Sequence, residues 1–327
     1  MSYRKSVVGK KVVSRHKNTN NKIHVALVYG GLSSERDVSI LSHKNIQDAL
    51  LELGYTVTLV DMGNDLLEVI RDLKPDIVFN GLYGTYGEDG HVPALLDMIN
   101  IKYTHSGILS SALAFNKKMS HNVLKANHIN CAAAVIINRA EAHRLGDNDP
   151  IARPYVIKPL SEGSSIGVEV VFPGDKFKFS DYQWKYGDES IVEPYIPGRE
   201  LSVAVMDGKA VGTVEIIPTK RRFYDYETKI SDNMANHVVP APLDPEEEKI
   251  MMHIAEKVHH IFDCKTVSRV DFRYNPEEKN KPHKGIYVLE VNTHPGLTSV
   301  SIVPEICLDK GISFTQVIDI LVKDGLS

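Results

Sequence analysis

Between residues 23 and 79 the chain alternates short apolar runs with amphipathic ones, and this alternation restricts the possible folds more than any other feature. Residues 23–29 carry Val25-Ala-Leu-Val28, a run of the kind that a parallel sheet buries on both faces. The run ends in Gly30-Gly31-Leu-Ser-Ser-Glu35-Arg36, after which apolar residues recur at helical spacing through Val38, Leu41, Ile46 and Leu50. Gly54 stops that helix and residues 56–60 form the next strand. A helix near residues 66–73 then leads through Pro75 to a third strand at 76–79. The βαβαβ order predicts an α/β fold with an open parallel sheet at the N-terminus. Ligands of such sheets gather at the carboxyl ends of the strands, beside helix N-termini. The Gly30-Gly31 turn lacks the Gly-x-Gly-x-x-Gly spacing, which argues against a nicotinamide site. Gly84-Thr-Tyr-Gly-Glu-Asp-Gly90 reads either as a second ligand-facing loop or as a plain turn.

Further along, residues 108–127 read as one helix carrying Lys117. A short strand over 154–158 ends in Lys158 and runs into Pro159-Leu-Ser-Glu-Gly-Ser164-Ser165-Ile-Gly167. Backbone N–H groups and hydroxyls in such a loop suit phosphate oxygens, with lysine as counter-charge, although a solvent hairpin accounts for it as readily. Strands are also expected around 190–193, 201–206 and 212–217, with Glu193 and Glu200 either hydrogen-bond acceptors for a ligand or ordinary edge carboxylates. Residues 218–240 form a long polar stretch that predicts a lid or a disordered loop. Amphipathic helices follow at 245–262 and around 314–322.

Two strands near the end carry the most pointed chemistry. Arg269 and Asp271 alternate in one run, Glu290 and Asn292 in another, and residues two apart in a strand share a face. If the strands pair, three oxygen-bearing side chains and a guanidinium converge on one patch. Oxygen donors without histidine or cysteine suit Mg²⁺, whose remaining ligands come from water and phosphate. Either dipeptide alone is better read as a solvated sheet face.

At 327 residues the chain is long enough for two or three compact units, and 43% hydrophobic with 24% charged residues is ordinary for a globular enzyme. The net charge of −4 gives no reason to expect nucleic acid as a partner. Three scattered cysteines fit a reducing compartment, and no run approaches the length of a membrane span. Residues 1–22 hold basic residues and no acid, which predicts a flexible basic tail.

Taken in order, Gly30-Gly-Leu-Ser-Ser-Glu35-Arg, Gly87-Glu-Asp-Gly90, Lys158-Pro-x-x-Glu-Gly-Ser-Ser165, Glu193…Gly198-Arg-Glu200, Tyr224-Asp-Tyr-Glu-Thr-Lys229, Arg269-Val-Asp271 and Glu290-Val-Asn292-Thr-x-Pro-Gly-Leu-Thr298 resemble the D-alanine–D-alanine ligases of the ATP-grasp superfamily. The resemblance covers the chain from about Ile23 onward. It implies three domains, here 23–115, 116–208 and 209–327, with the lid at 218–240 and the metal site in the last. It implies ATP and two Mg²⁺ (Mn²⁺ as a substitute), two D-alanine molecules, no membrane, a homodimer, a cytoplasmic location and a role in peptidoglycan precursor synthesis. By resemblance Asp271, Glu290 and Asn292 are the metal ligands, and Lys117, Lys158 and Lys229 bind phosphate with Ser165 in the same loop. Glu193 and Glu200 hold adenine and ribose. Glu35 and Ser164 orient the first D-alanine, Arg269 stabilises the tetrahedral intermediate, and Gly296 with Ser301 forms the second-alanine subsite. Tyr83 and Val300 stand where the family commonly has histidine, and Ile230 where peptide-forming members place tyrosine. Another ATP-grasp carboxylate–amine ligase and a non-catalytic nucleotide-binding module are the alternatives.

Overall fold

The computed structural model describes residues 12–16, 23–219, 235–298 and 300–327. Three sheets organise it. The first is built from β2 (His24–Tyr29), β3 (Thr56–Asp61), β4 (Ile77–Asn80) and β5 (Lys102–Tyr103), all parallel, in the order β3-β2-β4-β5. Helices α1 (Arg36–Glu52), α2 (Leu66–Leu73) and α3 (His91–Met98) connect them. Alternate residues of β2 separate its two faces. Val25 and Leu27 pack with Ile46 and Leu50 of α1, whereas Ala26 and Val28 pack with Ile70 of α2 and Leu96 of α3. Both faces are therefore dry, as the unbroken apolar run requires.

Within the segment expected to be a flexible tail, β1 (Val12–His16) adds antiparallel to β3 and becomes the edge of the sheet. An open sheet edge presents unpaired N–H and C=O groups, and these recruit any extended neighbour.

The stretch expected as one helix over 108–127 is two helices, α4 (Ile108–Phe115) and α5 (Lys117–Ala126). Asn116 breaks the helix with an extended backbone, and its side chain accepts the Met119 N–H at 3.1 Å. Asparagine caps well because its oxygen satisfies an otherwise orphaned donor. The break leaves Lys117 at the first position of α5.

A second sheet, in the order β6-β9-β7-β8, is antiparallel. Its strands are β6 (Val135–Asn138), β7 (Tyr155–Pro159), β8 (Glu169–Val171) and β9 (Glu189–Pro194), with α6 (Arg139–Leu145) after β6. The third sheet, in the order β12-β11-β10-β13-β14, comprises β10 (Arg199–Met206), β11 (Lys209–Pro218), β12 (Ala235–Val238), β13 (Val267–Tyr274) and β14 (Ile286–Asn292). The expected boundary at residue 208 groups β10 with the middle segment, yet the strand lies at the centre of the third sheet. The tight Asp207-Gly208 turn folds β11 back onto it, so the two strands cannot part. β12 also falls inside the stretch expected to be a lid, so strand begins again at residue 235.

Helix α7 (Pro245–Ile261) covers one face of this sheet, where Leu201, Val203, Val270, Phe272 and Val291 meet Met251, Ala255 and Val258. On the other face α8 (Ile302–Asp309) packs Val303 and Ile306 against Ala204 and Val214. The last helix, α9 (Phe314–Leu326), returns to the first sheet and buries Ile318, Leu321 and Val322 beside α1. The first parallel sheet and the last helix thus share one core.

Candidate active site

Register in the third sheet makes the polar patch. β13 and β14 pair antiparallel, with Arg269 opposite Asn292 and Asp271 opposite Glu290. On the other side of β13, Ser202 lies opposite Asp271 and Glu200 opposite Arg273. One face of three strands therefore carries Glu200, Ser202, Arg269, Asp271, Arg273, Glu290 and Asn292. The intervening residues form the core against α7.

A single extra residue lets Glu290 join that face. Ile286 and Val288 point into the core, and strict alternation would send Glu290 after them. The ladder shifts between Asp271 and Phe272, since Phe272 pairs with Val288 and Asp271 with Glu290, leaving Leu289 as a bulge. Beyond Leu289 the parity is reversed. Val291 takes the core side and Glu290 with Asn292 faces the cleft.

Asp271 is held from two directions. Arg269 donates to both of its oxygens at 2.8 Å, and Ser202 Oγ donates to Oδ1 at 2.6 Å. Arg269 also reaches Glu290 at 3.9 Å. Asn292 Oδ1 accepts the His294 N–H at 2.7 Å, which fixes the amide. Two carboxylates and an amide oxygen are hard donors suited to Mg²⁺, and they fit a cation whose other ligands are phosphate oxygens and water. Among the described residues no group of three or more His, Cys, Asp or Glu could hold a metal without such help.

The second sheet supplies the opposite wall. Lys158 Nζ donates to Glu193 Oε2 at 2.7 Å, both largely buried. Burial alone would lower the lysine pKa, but Glu193, Glu290 and Glu200 together outweigh it and hold the pKa raised. The lysine is therefore charged, as contact with an anion would require. The following loop turns through Ser164 and Ser165, both at positive φ (48° and 59°), a conformation rare outside glycine. Ser164 Oγ donates to the buried Glu35 carboxylate, tying the loop to the N-terminus of α1. Gly163 permits this approach, because a Cβ there would stand 2.3 Å from Glu35 Oε1. Lys117 donates from its backbone N–H to the Leu160 carbonyl at 2.8 Å and from Nζ to the Glu162 carbonyl. The helix break at Asn116 thus places the lysine on the same loop.

The third wall is the turn after β14. Gly296 backs onto Ser301, and a Cβ at Gly296 would lie 2.9 Å from the serine oxygen. Ser301 Oγ accepts the Thr298 N–H at 2.9 Å.

One cleft of about 670 Å³ collects Glu35, Lys117, Lys158, Ser164, Ser165, Glu193, Glu200, Arg269, Asp271, Glu290, Asn292, Gly296 and Ser301. Lys229 and Ile230 lie outside the described residues, as does most of the stretch expected to be a lid. Glu193 and Glu200 do reach the cleft, but each is already paired, Glu193 with Lys158 and Glu200 with Arg273 at 3.3 Å.

Sequence reasoning passed over Glu88 and Ser202. Glu88 is buried in the cleft wall, its carboxyl pushed well above the usual range by burial and by the neighbouring charge of Glu35, with Arg269 opposing. Its Gly87–Gly90 setting is visible as a motif and as a ligand-facing loop, but a plain turn explains the glycines almost as well and the motif assigns the carboxylate no role. Ser202 could have been found from its spacing to Glu200, since the two share a strand face.

Three sheets in this arrangement, with a cleft between the second and third, define the ATP-grasp architecture. The family model described as the D-ala D-ala ligase C-terminus matches residues 124–323. The D-alanine–D-alanine ligase of Rickettsia massiliae (strain Mtu5) is 50% identical over 302 residues, 92% of this chain and 92% of that protein. That of Rickettsia felis (strain ATCC VR-1525 / URRWXCal2) is 50% identical over 306 residues, 94% and 93% of the two chains. Among solved structures, D-alanine–D-alanine ligase from Bacillus anthracis superposes with a TM-score of 0.77 at 27% identity, covering 93% of this chain and 97% of that one. A second structure from that organism, complexed with ATP, gives the same TM-score at 23% identity. The chain belongs to the D-alanine–D-alanine ligase family.

Proposed function

We propose that the cleft joins two D-alanine molecules at the expense of ATP, giving D-alanyl-D-alanine, ADP and phosphate. The observation that carries the reading is the convergence of Lys158, Arg269, Asp271 and Glu290 with the Glu35–Ser164 pair on one cleft. In the first step a carboxylate oxygen of one D-alanine attacks the γ-phosphorus and ADP leaves. In the second, the amine of the other D-alanine attacks the acyl carbon, phosphate departs with the C–O electrons, and the amine gives up a proton.

Phosphoryl transfer needs positioned charge more than covalent help from the protein. Lys158 and Lys117 supply cations on the loop that faces the phosphates. Asp271, Glu290 and Asn292 are the residues to hold Mg²⁺, which when bound would neutralise phosphate oxygens. Glu35, oriented by Ser164, accepts the ammonium of the first D-alanine. Arg269 lies between the two carboxylates and stabilises negative charge on the tetrahedral carbon. Gly296 and Ser301 receive the second D-alanine. Glu193 from the second sheet and Glu200 from the third meet the nucleoside, and Lys229 would complete the phosphate clamp from the lid.

A homodimer in the cytoplasm, supplying the dipeptide for peptidoglycan precursors, is the setting this chemistry fits. No helix among the described residues is long and apolar enough to cross a membrane. The test is phosphate release with ATP and Mg²⁺, measured with and without D-alanine and with product analysis. Turnover that is absent, or stimulated by a different amino acid only, would reject the substrate assignment.

A further inference from the structure

Tyr83 is 3% exposed and sits in the loop after β4, on the wall of the cleft. Its hydroxyl accepts the Leu297 N–H at 2.9 Å. Its carbonyl accepts Ser33 Oγ at 2.7 Å, two residues before Glu35. The ring of His294 packs edge-on against it, centroids 5.6 Å apart. Behind His294 the ring of His105 stacks at 3.7 Å, so the phenol stands on an aromatic floor shared by the first sheet and the turn after β14.

Leu297 lies between Gly296 and Thr298. Its side chain is 1% exposed in the core, and its N–H has the Tyr83 oxygen as acceptor. The next N–H, of Thr298, goes to Ser301 Oγ. Two consecutive backbone donors of this turn are thus fixed by side chains, one from across the chain and one from within the turn. Deleting the tyrosine oxygen would leave a buried N–H unsatisfied, a situation folded chains relieve by moving backbone. The shift would fall on Gly296.

We infer that Tyr83 is a positioning residue for the second D-alanine, holding the Gly296–Leu297 backbone in register with the loop that bears Glu35. This rests on the assignment of Gly296 and Ser301 to the second-alanine subsite. Burial holds the phenol pKa up at about 12, so the bond persists throughout the neutral range.

The experiment is initial-rate kinetics of Tyr83→Phe over a wide range of D-alanine, resolving half-saturation constants for the first and second molecules, with the KM for ATP and the Tm measured alongside. Ser301→Ala is assayed in parallel. The expected result is a second constant raised roughly tenfold in Tyr83→Phe, with the first constant, the KM for ATP and kcat within about twofold. A second constant within twofold of the wild type, in a folded protein, overturns the inference. So does an equal loss in all constants with a fallen Tm, which would make the bond merely structural. If Ser301→Ala leaves the second constant untouched, the subsite assignment itself is wrong. If only Ser301→Ala raises it, the assignment stands and the role of Tyr83 falls.

Discussion

His105 offers a quantitative test of how the first sheet meets the end of the chain. The ring is buried between His294, stacked at 3.7 Å, and Phe79, edge-on at 5.7 Å. Burial above all, then the proximity of His294, hold its pKa well below the ordinary 6.5. The folded ring therefore resists protonation as pH falls below 6.5, whereas in the unfolded chain it takes up a proton. Unfolding binds the proton, so stability is complete above 6.5 and declines as pH falls below it, until the folded pKa is reached. One unit below the unfolded pKa, a ring that resists protonation when folded gives the unfolded state a weight larger by about an order of magnitude, on the order of 1 kcal/mol. His105→Phe keeps the stack and removes the titration. Its lost bond to Thr104 Oγ1 is a pH-independent offset, because that oxygen still accepts the Asn80 N–H at 3.1 Å. At roughly 2.1 cal/mol/K of unfolding entropy per residue, the wild type should lose roughly 2 °C more in Tm than the variant between pH 7.5 and 5.5. Scanning calorimetry at both pH values reads this directly. Parallel Tm–pH lines for the two proteins would show that the histidine is not held neutral, and the argument from burial would fail.

Asp271→Asn and Glu290→Gln should each keep the wild-type Tm within a few degrees and lose turnover by at least about 10²-fold, since each removes a charge that phosphate-bound Mg²⁺ requires. A folded Glu290→Gln enzyme with normal rates would reduce the patch to surface. Ser202→Ala should weaken Mn²⁺ binding in the presence of ADP by about tenfold, because the serine fixes Asp271 Oδ1 from behind. Calorimetric titration measures it, and unchanged affinity would show that Arg269 alone orients the carboxylate.

Local pattern carried the sequence reading a long way. The parallel strands and α2 follow from alternation and from glycine stops, which are properties of neighbouring residues, whereas the pairing of β13 with β14 stands in the sequence only as a condition. What escaped depends on distant partners. Nothing near residues 314–326 says that α9 will pack beside α1, because an amphipathic helix states which face it buries and not against what. The break at Asn116 was legible as an N-cap, but an apolar period running across it hid the signal. Two half-polar aromatic rings at positions 105 and 294 give no sign of stacking until the fold brings them together. Among site residues, Glu35, Lys158, Asp271 and Glu290 stood out because their motifs are dense. Ser202 did not, because one hydroxyl on a strand has many uses.

Leu289 adds something that residue identities do not carry. Strand parity is a count, and the bulge changes that count by one. Pairing Leu289 into a regular ladder in place of the bulge would leave every charged residue of the cleft in the sequence. It would nevertheless turn Glu290 toward Met251 and Phe272 and present Val291 to the phosphates. The loss would come from arithmetic, since an odd number of residues separates two sides of a sheet as surely as a wall. Deleting Leu289 should therefore be tolerated, because Glu290 would follow Val288 directly and still face the cleft opposite Asp271, whereas a change that straightens the strand with Leu289 in place would bury the carboxylate.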